Sequence, residues 1–284
     1  MSIISPLPFS FTNGSTADAN QVNANFAAIV NSVNSNAAPL ASVPAAIQSL
    51  PFSAGLSIQV TGNTTVNIKS GYSMVSVPGQ WTNAVISNTN VTITFSNSAY
   101  GANGIDAAGN LSASTWYYLF IIYNGGTVAG LASKSASAPV LPPGYTYLQR
   151  VGAVSTDGSA NLISSCQTGN HAWWTSGVVT GATTDVSIGT PTLLNIASTI
   201  PPTANEVVLT ASTSAGTVTM GLQPVATVPD YEFIVYHNFG AGSWQLPVRI
   251  PIITSQSVYW EVSFSGSLTV SLGVLAWTDA VGAV

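Results

Sequence analysis

Beyond residue 57, the apolar positions follow the patterns of β-strands. Val258, Trp260, Val262 and Phe264 alternate with less apolar residues, which is typical of a half-buried antiparallel strand. The segment 116–123 is apolar throughout and has strand length. Strands are predicted at 57–68, 91–95, 116–123, 145–154, 206–211, 231–236, 258–264 and 268–275. Such short strands between turn residues predict one or two antiparallel β-sandwich or jelly-roll-like domains, and a mainly β protein.

The N-terminal segment 1–15 has a different pattern. Leu7, Phe9 and Phe11 alternate with Pro8 and a serine, so an extended arm would carry its large apolar side chains on one face. An exposed apolar strip of this kind needs a partner surface. We therefore expect Leu7, Pro8, Phe9 and Phe11 to dock onto another protein.

A short helix is predicted to follow the arm. Asp18 and Gln21 have the spacing of a capping box, which marks a helix start. The apolar residues that follow at spacings of four, three and four are Val22, Phe26, Ile29 and Val33. Their period of 3.5 residues suits packing against like helices, although a helix lying on its own domain fits the pattern as well. Isolated helices this short are marginal in water, so we expect it to be docked.

The order of these patterns predicts four parts. Residues 1–36 form the arm and helix, and residues 37–52 form a linker rich in Ala, Ser and Pro. The strands then divide into a first β domain at 53–169 and a distal β domain at 170–284. The boundary is placed at the polar stretch 164–171.

Charge is scarce along the whole chain. Only 4 residues are Lys or Arg and 9 are Asp or Glu, so 5% of 284 residues are charged, against about 25% in typical globular proteins. Without a basic cluster, nucleic acid is excluded as a partner. No apolar run approaches the roughly 20 residues of a spanning helix, so we expect no membrane insertion. The N-terminus also lacks a positive region, so we expect no export signal.

Candidate chemistry is sparse as well. One Cys and two separated histidines, His171 and His237, do not form a metal-ligand pattern, and we expect neither a metal nor a cofactor. No nucleophile-elbow motif occurs. Asp230 and Glu232 stand two apart at the start of a predicted strand and could share a face, as in some glycosidases, but a solvated strand edge explains them better. We therefore predict no catalytic residues and no enzyme activity.

Tryptophans are the best candidates for binding. Trp173, Trp174 and Trp244 occur in loop-like contexts, and an indole offers a flat apolar face with a polar N–H. Adjacent residues of a strand face opposite sides, so one of Trp173 and Trp174 is predicted to be buried and the other exposed. These three residues are candidates for contact with a surface glycan, and a purely structural role remains the alternative.

Two blocks of sequence resemble known proteins. The segment 7–26 reads LPFSFTNGSTADANQVNANF and is similar to the N-terminal segment of many bacteriophage tail-fibre and minor virion proteins. The segments GTVAGLAS at 126–133, PPGYTY at 142–147 and RVGAVSTDGS at 150–159 are similar to a β module that recurs in such proteins. Together these segments cover 44 of the 284 residues, about a sixth of the chain.

This resemblance implies a function. Such proteins are commonly homotrimers located in the virion, so the chain would be made in the bacterial cytoplasm and would bind other virion proteins of the tail or capsid. The helices around Val22 and Val33 would then meet at a threefold axis. In a tail fibre the distal β domain would contact the host surface, typically a glycan. A capsid head fibre or decoration protein is the alternative. A polysaccharide depolymerase acting through Asp230 and Glu232 is a third hypothesis.

Overall fold

A computed structural model of the chain shows a mainly β protein with one helix, which confirms the predicted fold class. It describes residues 16, 18–41, 53–78, 83–88, 90–106, 111–184, 188–213, 218–226, 234–237, 247–264 and 269–279. The chain divides into two units, Met1–Leu50 and Pro51–Val284. The described part of the first unit is helical, and the second unit consists of β-sheets.

The helix α1 spans Ala19–Ala41. Asp18 caps it, because one carboxylate oxygen accepts a hydrogen bond of 2.9 Å from the backbone N–H of Asn20. The helix extends five residues into the predicted linker at 37–52, so the predicted end at residue 36 is wrong. Alanine is the strongest helix former and is frequent there, whereas Pro39 removes one helical hydrogen bond, and the helix ends two residues after it.

The second unit contains nineteen described strands. They are β1 Ser53–Ala54, β2 Ser57–Gly62, β3 Thr65–Ile68, β4 Gly71–Ser76, β5 Asn83–Asn88, β6 Val91–Thr94, β7 Gly104–Ile105, β8 Trp116–Tyr123, β9 Val128–Ser133, β10 Tyr147–Ser155, β11 Ser165–Thr168, β12 His171–Thr184, β13 Ile188–Asn195, β14 Ala204–Thr213, β15 Val218–Gln223, β16 Ile234–His237, β17 Val248–Pro251, β18 Ser257–Phe264 and β19 Thr269–Asp279.

These strands form three sheets. The seven-stranded sheet has the order β1-β4-β10-β8-β9-β7, with β5 paired to β4. The eight-stranded sheet has the order β17-β14-β19-β12-β11-β2-β3-β6, and the four-stranded sheet has the order β13-β18-β15-β16. Among the described strand pairs, β7 and β9 are parallel and the others are antiparallel.

Two hydrophobic cores lie against the eight-stranded sheet. In the first, Val66 and Ile93 from strands β3 and β6 pack with Leu119 of β8 in the seven-stranded sheet. In the second, Leu272 of β19 packs with Val262 of β18 in the four-stranded sheet. The eight-stranded sheet therefore belongs to two sandwiches, one at each end of its strand order.

The boundary predicted between 53–169 and 170–284 falls inside this continuous sheet. Strand β11 pairs with β2 on one side and with β12 on the other, so that Cys166 lies opposite both Gln59 and Trp173. The described members of the first core lie at or before Leu162, and those of the second core begin at Ala172, apart from Trp116 and Ile163, which pack against it. The predicted boundary thus separates two cores, but it does not separate two sheets.

Strand β8 is buried on both of its faces. Leu119 and Ile121 face the first core, whereas Phe120 and Ile122 face a smaller cluster that includes Leu141, from the proline-rich segment before β10. All four of these β8 residues have no exposed surface. This double burial explains why the segment is apolar throughout rather than alternating.

The two sandwiches are also joined by side chains. The Trp116 ring lies 6.0 Å from the Trp174 ring and 5.6 Å from the Trp277 ring, and its indole N–H donates to the Ala197 carbonyl at 3.1 Å. Arg150 and Asp279, from β10 and β19, form a buried ion pair with an N–O distance of 3.5 Å. The first sandwich therefore contacts the second through an aromatic cluster and a buried ion pair.

Replacing Trp277 with alanine is expected to lower the free energy of unfolding by about 3–5 kcal/mol, because the indole is fully buried and its removal leaves a cavity. The matched control is Trp173→Ala on the neighbouring strand, where the indole is 38% exposed and the loss is expected to be about 1 kcal/mol. Equilibrium urea unfolding measures both variants. Equal losses would contradict the assignment of Trp277 to the core.

Candidate functional site

The adjacent tryptophans of β12 point to opposite faces of the eight-stranded sheet. Trp174 is buried in the second core, and its indole N–H donates to the Thr199 carbonyl at 3.0 Å. Trp173 lies on the other face and is 38% exposed. The prediction that one of the pair is buried and the other exposed is confirmed, which leaves Trp173 as the candidate for binding. Trp244 lies outside the described residues.

Strand pairing aligns two rows of residues across β17, β14, β19 and β12 on the face that carries Trp173. The first row consists of Arg249, Val208, Ala276 and Trp173, each opposite the next. In the second row, Glu206 lies opposite Thr278, which lies opposite His171. The rows bring together residues that are far apart in the sequence because four strands are adjacent here.

Hydrogen bonds connect the polar members of these rows. The Arg249 guanidinium lies 3.1 Å from Oε1 of Glu206, which also accepts a 3.0 Å hydrogen bond from the Thr278 hydroxyl. Nδ1 of His171 lies 3.2 Å from that hydroxyl oxygen. Since Thr278 has a single hydroxyl proton and gives it to Glu206, the imidazole must donate from Nδ1. Nε2 is then the acceptor nitrogen of the neutral ring.

An open groove of 370 Å³ runs beside these residues. Its lining residues are His171, Trp173, Val208, Pro247, Arg249, Leu275 and Ala276. The His171 ring meets the Trp173 ring edge to face, with the ring centroids 4.5 Å apart and the planes at 86°. The groove thus combines an apolar floor and an exposed indole with a cation and an imidazole at its margin.

The groove has little net charge at neutral pH. Partial burial of His171 and, secondarily, the nearby Arg249 guanidinium lower the pKa of the imidazole, while Glu206 opposes them. His171 is therefore neutral at pH 7. The charges of Arg249 and Glu206 compensate each other, because the two groups form an ion pair.

A second, smaller cavity of 210 Å³ lies on the seven-stranded sheet, beside Asp106 and Lys134. The Lys134 ammonium donates to the Ser112 hydroxyl at 2.7 Å. One oxygen of Asp106 accepts a 3.0 Å hydrogen bond from the backbone N–H of Val140. Both charged groups are thus engaged in holding neighbouring segments in place, which favours a structural role for this cavity.

The structure places the predicted helix residues on α1 and leaves the predicted docking arm undescribed. Phe26 is 62% exposed, whereas Val22 and Ile29 are half-buried. The side chain of Val33 lies outside the described residues. So do the arm residues Leu7, Pro8, Phe9 and Phe11, together with the carboxylates of Asp230 and Glu232.

Sequence reasoning missed three members of the candidate site. His171, Glu206 and Arg249 were not predicted to be neighbours, since no short spacing connects them and strand register alone brings them together. One signal was present. In a strand, residues two apart share a face, so His171 was bound to lie beside whichever ligand contacts Trp173.

The comparisons with known proteins add no family. The chain matches no protein-family model, and a search of curated proteins gives no significant match. Across the described ranges, no three residues among the His, Cys, Asp and Glu side chains are grouped so that they could hold a metal ion. Nor does the described part of the chain contain a helix long and apolar enough to span a membrane.

The pKa of His171 is expected to respond oppositely to its two charged neighbours. Arg249→Met should raise it by removing a positive charge, and Glu206→Gln should lower it by removing a negative one. NMR titration of the imidazole measures both shifts, with His237→Gln to assign the second histidine and Lys134→Met as a control that leaves the pKa of His171 unchanged.

Protein stability should follow the same titration. The pKa of His171 in the folded state lies below its ordinary value of 6.5. The contribution of His171 to the free energy of unfolding is therefore complete above pH 6.5. It is lost as the pH falls through that value toward the folded-state pKa. Shifts of the same sign in the pKa of His171 for Arg249→Met and Glu206→Gln would contradict the arrangement of charges around the imidazole.

Proposed function

We propose that the chain is a non-enzymatic structural protein of a bacteriophage particle. It assembles as a homotrimer through α1, is attached to other virion proteins by residues 1–36, and contacts the host surface with its distal β region at 170–284. The observation that carries the assembly is the exposure of large apolar side chains on α1. Phe26 is 62% exposed and Val30 is 54% exposed.

Association is favoured because it removes the apolar side chains of Phe26 and Val30 from water. Phe26 and Val30 stand four apart and therefore lie on one face of the helix. Burial of apolar surface contributes about 25 cal/mol per Å². Several other residues of α1 are asparagines, which are weak helix formers, so the helix depends on packing more than on propensity.

The exterior of the β unit supports a structural role. Its surface uses Ser, Thr and Asn in place of charge, and the alternating strands bury apolar residues on one face. The charged residues that are described near the candidate groove, Arg249 and Glu206, are paired with each other. This arrangement suits recognition of a polar surface better than proton transfer, because neither side chain is held free as an acid or a base.

Introducing charge on the apolar face of α1 is expected to dissociate the trimer. Phe26→Asp combined with Val30→Asp would place carboxylates where the helices meet, and burying unpaired charge is costly. Sedimentation equilibrium should show trimers for the unaltered protein and monomers for the variant. The matched control is Asn31→Asp, which adds a carboxylate at an exposed polar position of the same helix that faces away from Phe26 and Val30, and it should leave the trimer intact. A trimer that persists in the double variant would contradict assembly through α1.

Removal of residues 1–36 is expected to abolish incorporation into particles, since the arm and most of the helix are then missing. Immunoblotting of purified particles measures the occupancy. Trp173→Ala serves as the control, because it alters the distal surface alone and should leave occupancy unchanged. Full occupancy of the truncated chain would overturn attachment by the N-terminal segment. Electron microscopy of labelled particles would distinguish a tail location from a capsid location.

A further inference from the structure

We infer that the groove beside Trp173 binds a single neutral pyranose unit of a surface polysaccharide. This inference rests on the proposed contact with the host surface, and it assigns that contact to His171, Trp173, Glu206 and Arg249. The ligand class follows from three features of the groove, which are its flat aromatic wall, its hydrogen-bonding groups and its charge.

The aromatic wall is the Trp173 indole. One face of a pyranose ring consists largely of C–H groups, and an exposed indole provides a matching flat apolar surface. The edge-to-face contact with His171 restricts rotation of the indole, since the two ring centroids are only 4.5 Å apart. A side chain already held in place loses little conformational entropy when a ligand binds.

The floor and volume of the groove suit one small ring. Val208, Leu275 and Ala276 provide an apolar base. The volume of 370 Å³ lies near the lower limit of small-molecule sites, which span about 300–1,000 Å³. The groove therefore accommodates a single unit of a longer chain, with the rest of the polymer lying along the open sheet.

The hydrogen-bonding groups at the margin match vicinal hydroxyls. A hydroxyl both donates and accepts, so a pair of them is best met by a donor beside an acceptor. Arg249 has five N–H donors, and its side chain is 65% exposed. Glu206 has about four acceptor positions, and the two hydrogen bonds it receives from Arg249 and Thr278 are both at Oε1. Nε2 of His171 adds a further acceptor.

The charge of the groove favours a neutral sugar over an acidic one. Arg249 is compensated by Glu206, and His171 is neutral at pH 7. A sugar carboxylate would therefore meet no uncompensated cation, and it would approach a chain with a net charge of −5. Repulsion from Glu206 and from the chain as a whole disfavours uronic and sialic acids.

The test is titration calorimetry of the full-length protein with defined oligosaccharides. The neutral probes are hexamers of glucose, galactose, mannose and N-acetylglucosamine, and the acidic probe is a galacturonate hexamer. At least one neutral hexamer should bind, and Trp173→Ala should weaken its binding by about tenfold or more. Tyr72→Ala is the matched control, because Tyr72 is 56% exposed on a different sheet and should not affect binding.

The polar margin is tested separately. Arg249→Met should weaken binding of the same neutral hexamer by about fivefold or more, through loss of its hydrogen bonds. Binding of the acidic hexamer alone, binding that is unaffected by Trp173→Ala, or failure of every neutral probe to bind would each overturn the inference.

The outcome can be separated from that of the proposed function. If purified particles contain the chain but it binds no neutral hexamer, the groove assignment fails and the structural role stands. If the chain is absent from purified particles while the isolated protein binds a neutral hexamer through Trp173, the proposed function fails and the binding site stands.

Discussion

The structure depends on the backbone pairing of β11 with β2 and β12. This short strand is the point at which a single hydrogen-bonded sheet passes from the first hydrophobic core to the second. Each peptide group in such a sheet must find a partner, since an unpaired buried N–H or C=O is costly. The two sandwiches therefore share a rigid connection through the sheet, and the orientation of the Trp173 surface is fixed by the same ladder that completes the first sandwich.

Side chains at the junction reinforce this connection in a protein that uses charge sparingly. Arg150 and Asp279 are 2% and 0% exposed, and they take one of the 4 basic and one of the 9 acidic residues out of water. A buried ion pair contributes little net stability, but removing one partner leaves a costly unpaired charge. The pair therefore selects one alignment of β10 against β19 over others. Trp116 has a similar effect, because its ring packs against Trp174 and Trp277 of the second core.

Features of the fold and of the candidate site were predictable from the sequence where neighbouring residues encode them, and were not predictable where strands distant in sequence must pair. All eight predicted strands overlap observed ones. The segment 57–68, predicted as one strand, is a hairpin of β2 and β3. The prediction missed the turn at Asn63 because the alternation of apolar residues continues across it. Strand β9 escaped prediction since it is built of small residues, and Gly130 is required there because a Cβ would lie 2.5 Å from Ile93. The exposed Trp173 followed from alternation, whereas its neighbours Glu206 and Arg249 depend on register between distant strands, which local spacing does not encode.

The position of β19 has a consequence for how the protein is made. This strand is the last of the described strands in the sequence, yet it lies in the interior of the eight-stranded sheet, between β12 and β14. Until it emerges from the ribosome, both neighbours present unpaired edges, and such edges are sites of aggregation. Closure of the second sandwich must therefore wait until β19 has been synthesised, and its long-range pairing predicts slow folding. Cells that produce the chain in quantity would benefit from chaperones that shield these edges during translation.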